Sequence, residues 1–176
     1  NEMYKKLIIS YEEKVRIIDN LGVDYIVTAN IDSNFLTLSP QQFCEDILVK
    51  KFHVKEIFVG DGFHFGFKAK GDVLFLKEFF KPYNVKINIV PLHKVAGEVV
   101  SSTSIRKYYS EGRIKKIANL LGRSPQIEGV VTRGAGRGRK LGFPTANIDV
   151  CEVFITPKDG VYLGTVLINK NENKLF

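Results

Sequence analysis

The chain has 176 residues, 44% of them apolar and 26% charged, with a formal net charge of +7. That length and apolar content suit one generous domain or a domain with part of a second, and they exclude disorder as the default state. No apolar run approaches the roughly 20 residues that cross a bilayer, and none follows a basic start, so a soluble, cytoplasmic protein without a membrane partner is expected. In chain order, Ser10 and Glu13 have capping-box spacing ahead of a helix from about Tyr11 to Leu21 that Gly22 closes. "DYIVTA" from Asp24 and "KEIFVG" from Lys55 to Gly60 read as strands, apolar on both faces as buried parallel strands tend to be. Between them, Ser39, Pro40 and Gln42 start a helix through "FCEDILVKKF". A helix in "GDVLFLKEFFKPY" and a strand in "VKINIVPL" repeat the pattern and predict an α/β sheet. A further helix, "RIKKIANLLG", is capped by Gly122, and a domain boundary is expected near Arg123 and Ser124. Beyond it, "IEGVVTRG", "CEVFIT", the turn "PKDG" and "VYLGTVLI" predict short strands of an all-β unit, a barrel or sandwich.

The positive charge favours anionic partners, but it is spread along the chain. Seven Lys/Arg face five Asp/Glu from Gln126 onward, and nineteen face fourteen before it. A nucleic-acid face usually gathers its cations in one stripe, so no nucleic-acid partner is expected, although a basic nucleic-acid-binding module stands as an alternative. Cys44 and Cys151 lie far apart and suggest neither a disulfide framework nor a zinc site. His53, His64 and His93 share no metal-ligand spacing, and each is expected to be structural. The chain starts at Asn1 and stops just after a strand-like run, which gives the expectation of a fragment.

Three stretches can carry chemistry. "VVSSTSIRKYY" sets Ser101, Ser102 and Thr103 ahead of a helix with Arg106 in its first turn; a helix N-terminus, hydroxyls and a guanidinium suit a polyphosphate. The same spacing equally suits a plain N-cap with a solvent-facing Arg. "GDGFHFG" places Phe63 and Phe65 two apart after Gly60, either toward a planar ring ligand or into the core, the second being favoured by the pair alone. Between Arg133 and Lys140 there are four cations, three glycines and no carboxylate. Such a run lets main-chain N–H groups form an anion-binding nest. Thr145 and Asn147 then offer neutral oxygens of the kind Mg²⁺ takes beside nucleotide phosphates, with Leu141 and Phe143 expected to anchor the loop.

"GRGRKLGFPTANID", with "IEGVV" before it and "PKDGVY" after it, resembles the flavokinase motif of riboflavin kinases. Upstream, "VGDGFHFG", "SSTSIR" and "LLGR" resemble, in order, the adenylyltransferase half of the bacterial bifunctional riboflavin kinase/FMN adenylyltransferases, also called FAD synthetases. The resemblance implies an α/β Rossmann-like nucleotidyltransferase domain over residues 1–123. An incomplete six-stranded, Greek-key-like riboflavin kinase barrel would follow over 124–176. It implies ATP, Mg²⁺ and the flavins riboflavin, FMN and FAD as cofactor, substrates and products. Carried over, Ser102, Thr103 and Arg106 match the segment that binds ATP in the first domain, and Gly60, Phe63 and Phe65 match its flavin loop. Gly134, Gly136, Arg139, Lys140, Gly142, Pro144, Thr145 and Asn147 match the ATP loop of the kinase, with Thr145 and Asn147 on the metal. The family's His-x-Gly-His motif and its kinase base are expected outside this chain, so these residues alone are expected to complete neither reaction. Gly62 stands where the family usually has Asp or Asn, and Ser104 where Arg is frequent. An adenylyltransferase of another phosphorylated metabolite is the second alternative, and it leaves "GFPTAN" unexplained.

Overall fold

The structure is a computed structural model that describes residues 6–143 and 145–168. Its contacts gather into two compact units, Tyr11–Val100 and the combination of Asn1–Ser10 with Ser101–Phe176.

In Tyr11–Val100, helix α1 (Tyr11–Asp19) ends two residues short of the expected Leu21, where Gly22 turns left-handed and donates its N–H to the Asp19 carbonyl at 2.9 Å. Ser10 Oγ donates to Glu128 Oε2, and Glu13 is paired with Arg16. The strand expected from Asp24 is not formed: residues 24–32 have no ladder partner among the described residues, and Tyr25 is 87% exposed. A β-branched run becomes a strand only where a neighbour takes up its main-chain groups. Helix α2 (Ser33–Thr37), capped by the Asp32 carboxylate on the Phe35 N–H, precedes α3 (Pro40–Gln42). The capping box of α3 is complete, with Ser39 Oγ accepting from Gln42 N at 3.1 Å and Gln42 Oε1 accepting from Ser39 N at 2.9 Å. The helix then widens to a π-helix over Phe43–Lys51, and the Phe52 N–H reaches back to the Ile47 carbonyl.

Strand β1 (Glu56–Gly60) lies parallel to β2 (Lys86–Val90), from Glu56 opposite Lys86 to Gly60 opposite Val90. A parallel pair needs a crossover, which α4 (Val73–Phe80) supplies, its N-terminus closed by Asp72 Oδ1 on the Phe75 N–H at 2.8 Å. Both strands are partly exposed rather than buried on both faces, because helices cover only part of the pair; Phe58 is among the exposed residues. Lys86 Nζ and Asn88 Nδ2 both reach Glu56 Oε1, at 2.9 and 2.7 Å, and hold its carboxyl below the usual range. Strands β3 (Lys94–Val95) and β4 (Glu98–Val99) form a hairpin around Ala96 and Gly97, both at positive φ.

The core of this unit is Cys44, Phe65, Leu76 and Phe80. Phe65 stacks on Phe63 at 5.5 Å and meets Phe43 and Phe75, and the series continues through Phe79 to Tyr83. Phe65 also exchanges two main-chain bonds with Gly71, whose missing side chain makes room for the ring: a Cβ there would lie 2.7 Å from Phe65 Cζ.

The second unit contains α5 (Ser102–Glu111) and α6 (Ile114–Leu121), which bury Ile105, Tyr108, Tyr109, Ile117 and Leu120. Gly122 ends α6 in the left-handed conformation. Strand β5 (Val130–Thr132), the four-residue helix α7 (Arg137–Lys140) and β6 (Asn147–Asp149) follow, with β5 and β6 antiparallel and Thr132 opposite Asn147. Among the described residues, "CEVFIT" contributes only the single parallel bridge between Leu7 and Phe154, and residues 161–168 form no strand. No closed barrel is present among the described residues, because the apolar run 161–168 has no ladder partner there and stays exposed.

All three histidines are exposed rather than packed in a core; His64 Nδ1 sits 3.0 Å from the Gly62 carbonyl. Cys44 is fully buried and Cys151 exposed. Burial pushes the Cys44 thiol up to about 12 and raises the Tyr109 phenol.

Two outcomes follow from this packing. Gly71→Ala forces Phe65 aside and lowers stability by about 1–3 kcal/mol in chemical denaturation. In native protein one thiol, Cys151, reacts with a thiol reagent at pH 8, and Cys44 reacts only after unfolding. Because the folded Cys44 holds its proton above its ordinary value of 9.0, its contribution to stability is complete below pH 9 and is lost as the pH rises toward 12. A denaturant midpoint that stayed flat above pH 9 would contradict this.

Candidate functional site

The candidate residues fall into three groups, which the fold places differently. The first is the N-terminus of α5. Ser101 is the N-cap: its Oγ accepts from Ser104 N at 3.1 Å and lies 2.6 Å from Ser104 Oγ. The helix therefore starts at Ser102, with Ser102 and Thr103 exposed on its first turn. Arg106 consequently lies in the second turn rather than the first. Its Nε donates to the Lys6 carbonyl at 2.9 Å. Ser102 and Thr103 thus offer hydroxyls beside the positive end of a ten-residue helix, with a guanidinium one turn further on. That set of donors suits an anion.

The second group lies at the end of β1. Gly60 is the last residue of the strand, and its carbonyl accepts the Phe63 N–H at 3.1 Å, closing the turn. Phe65 is a core residue, so its ring holds the loop down instead of facing outward. Phe63 is half-buried and stacks on Phe65 with 16° between the rings, and it is the more exposed ring of the pair. At Gly62 a Cβ would meet nothing within 4 Å.

The third group is the turn between β5 and β6. Gly136 caps α7 in the left-handed conformation. The N–H groups of Lys140, Leu141, Gly142 and Phe143 all donate to carbonyls of Gly136 to Arg139, which closes the C-terminal end of the turn. The same turn carries the cationic side chains of Arg137, Arg139 and Lys140. Thr145 and Asn147 do lie against the glycines. Thr145 Oγ1 lies 2.9 Å from where a Gly138 Cβ would stand, and the Asn147 amide lies against Gly134, so each oxygen-bearing side chain packs on a bare stretch of main chain. Leu141 and Phe143 do not anchor the loop; they are 75% and 77% exposed, since the turn's own hydrogen bonds hold it without them. Pro144 lies outside the described residues.

The main-chain carbonyl of Lys6 as the partner of Arg106 has no signature in the sequence, because a carbonyl belongs to every residue. Thr132 opposite Asn147 was equally out of reach, since register is set by a turn of undetermined length.

Comparison with known proteins places these features in a family. The family model of FAD synthetase matches residues 1–104, and that of riboflavin kinase matches residues 121–175. A bifunctional riboflavin kinase/FMN adenylyltransferase of Buchnera aphidicola subsp. Schizaphis graminum is 36% identical over 163 residues, 92% of this chain and 52% of that protein. Proteins of the same description from Escherichia coli K12 (36% over 155 residues, 88% and 49%) and Listeria monocytogenes (34% over 164 residues, 93% and 52%) are similarly related. The chain thus spans about half the length of these relatives. A solved structure titled a macrolide-efflux protein from Streptococcus pneumoniae superposes with a TM-score of 0.79 at 32% identity, over 88% of this chain and 49% of that one. Among the described residues of the present chain, no helix is long and apolar enough to cross a membrane.

The close approach of Asn147 to Gly134 and of Thr145 to Gly138 gives a direct test. Gly134→Ala or Gly138→Ala introduces a Cβ where the Asn147 amide or the Phe143 carbonyl now lies, at a cost of about 1–3 kcal/mol to the turn. The Phe143 amide, bonded to Gly138 at 2.9 Å, then exchanges its hydrogen faster while the α5 amides are unaffected. Unchanged exchange at Phe143 in both variants would show that the contacts are not tight.

Proposed function

This chain belongs to the FAD synthetase family, and from that membership we propose that the protein carrying it phosphorylates riboflavin to FMN with ATP and then adenylylates FMN to FAD, releasing pyrophosphate. The reading includes a Rossmann-like nucleotidyltransferase domain over residues 1–123 and a six-stranded riboflavin kinase barrel to which residues 124–176 contribute. Its partners are small molecules, riboflavin, FMN and ATP, with no nucleic acid and no membrane, in the cytoplasm.

One observation carries the kinase half: Thr145 and Asn147 converge on a glycine-rich turn that also bears Arg137, Arg139 and Lys140. A hydroxyl and an amide oxygen are neutral, hard donors, and no carboxylate lies between Arg133 and Asn147. That donor set fits Mg²⁺ when phosphate oxygens and water fill its other positions. Thr145 and Asn147 would hold the ion, which supplies charge neutralisation on the transferring phosphoryl group. The cations of α7 would cover the nucleotide phosphates. The riboflavin 5′-hydroxyl attacks the γ-phosphorus and ADP leaves.

In the adenylyltransferase half, Ser102 and Thr103 on the first turn of α5 and Arg106 on the second would hold ATP phosphates. Phe63, with Gly60 at the strand end, would receive the flavin ring, while Phe65 keeps Phe63 in place from the core. An FMN phosphate oxygen attacks the α-phosphorus and pyrophosphate leaves. Both steps depend on positioning and charge neutralisation rather than covalent catalysis.

The test is incubation of a protein that carries these residues in a chain of its relatives' length with riboflavin, ATP and Mg²⁺, followed by chromatographic separation of flavins. FMN and FAD are both expected, and absence of FMN would sink the kinase assignment. Thr145→Ala and Asn147→Ala each lower FMN formation on the order of 10²-fold, the scale of losing one electrostatic contact to a reacting group, while FAD formation from added FMN continues. Gly62→Asp restores the polar residue usual in the family at a position with open space for it, and raises FAD formation from FMN without altering FMN formation. A fall in FAD formation in that variant would remove the polar-contact reading of the loop.

A further inference from the structure

The segment that begins the described chain is fastened in two directions at once. On one side, Leu7 N donates to the Val153 carbonyl at 2.7 Å, and the Leu7 carbonyl accepts from Ile155 N at 2.9 Å, a parallel bridge centred on Phe154. Ser10 Oγ adds a bond to Glu128 Oε2 at 3.0 Å. On the other side, the Lys6 carbonyl takes the Nε–H of Arg106 at 2.9 Å. Lys6 to Ser10 lie in the FAD synthetase match, whereas Glu128 and Val153 to Ile155 lie in the riboflavin kinase match. The far end of α5 is held from the same stretch, with Lys158 N donating to the Tyr109 carbonyl at 2.9 Å, and Ile155 between these anchors is buried.

A guanidinium is planar, so one bond at Nε fixes the plane in which its two terminal nitrogens can meet an anion. The partner here is a main-chain carbonyl, whose position is set by the peptide of Lys6 and Leu7 and therefore by the bonds of Leu7 to Val153 and Ile155. We propose that the Lys6–Leu7 peptide is a positioning clip that aims Arg106 at the nucleotide and is itself held by the Val153–Ile155 segment of the riboflavin kinase match. This rests on the assignment of Arg106 to ATP phosphate binding. Its consequence is that nucleotide affinity at α5 depends on a segment that belongs to the other activity.

Leu7→Pro tests the clip, because it deletes the one N–H that Leu7 gives to Val153, and the residue is 47% exposed. Leu7→Ala, which keeps that N–H, is the conservative control, and Ser10→Ala is a milder variant should Leu7→Pro fail to fold. Two readouts are taken on the full-length protein: the Arg106 Nε–H signal by ¹⁵N NMR, and the ATP concentration dependence of FAD formation, with ATP binding measured separately by calorimetry. In Leu7→Pro the Nε–H signal exchanges rapidly with water, and the ATP KM of FAD formation and the ATP Kd rise about tenfold with little change in kcat. Ser10→Ala gives a two- to threefold rise, and Leu7→Ala behaves as the unaltered protein. Loss of the Nε–H protection with unchanged ATP affinity overturns the clip, as does an equal rise in Leu7→Ala. If the unaltered protein shows the protected Nε–H yet binds no ATP, the assignment of α5 to nucleotide is what fails, and the clip's role falls with it.

Discussion

Two parallel strands cannot be joined by a tight turn, and most of Tyr11–Val100 follows from that constraint. The chain must leave β1 at Gly60, cover the pair with a helix and return to β2 in register. It does so through an aromatic-rich crossover whose rings run from Phe63 to Tyr83, and whose departure point is pinned by Phe65 over Gly71. The loop that carries Phe63 is therefore not a free surface loop. It is the visible edge of the crossover's own packing, which gives Phe63 a rigid backing at no additional ordering cost.

The β5–β6 turn solves a different problem by similar means. Neutral oxygen donors are weak ligands one at a time, so the proposed metal role requires their spacing to be fixed before a ligand arrives. Here the main chain supplies the rigidity: glycines allow Asn147 and Thr145 to lie against bare backbone, and α7 closes on itself through its own N–H groups. The cations stay on the outside of this turn. Their long stems leave them able to follow an anion that the shorter side chains cannot reach.

Where local chemistry dictated local structure, the sequence was legible. Ser39, Pro40 and Gln42 specify a capping box and it forms; Asp72 and Ser101 cap the helices that follow them; Gly122 ends α6. Strands were legible only where a partner lies among the described residues, as with β1 and β2. "DYIVTA" and "VYLGTVLI" have the same propensity and no such partner, so the same chemistry gives exposed chain outside any ladder. For the candidate site, residue types and order pointed to Thr145 and Asn147 and to the glycines that their side chains lie against. The aromatic pair read by itself favoured the core, where Phe65 lies, but residue types and order did not reveal that Leu141 and Phe143 would stay out, or that Arg106 would be held by a carbonyl 100 residues away. Those outcomes depend on which neighbours arrive, which composition and spacing do not encode.

The exposed run from Val161 to Ile168 has a consequence for how these 176 residues behave by themselves at high concentration. Val161 and Leu163 are fully open to solvent, the run carries no charge and no proline, and its main chain has no ladder partner among the described residues. Such a segment is a template for intermolecular pairing. What opposes it is long-range repulsion between molecules of net charge +7, which acts over a Debye length of about 30 Å at 0.01 M salt but only about 8 Å at 0.15 M. Colloidal behaviour should therefore run opposite to the usual habit of adding salt for solubility: dilute buffer keeps the copies apart, and salt lets their edges meet.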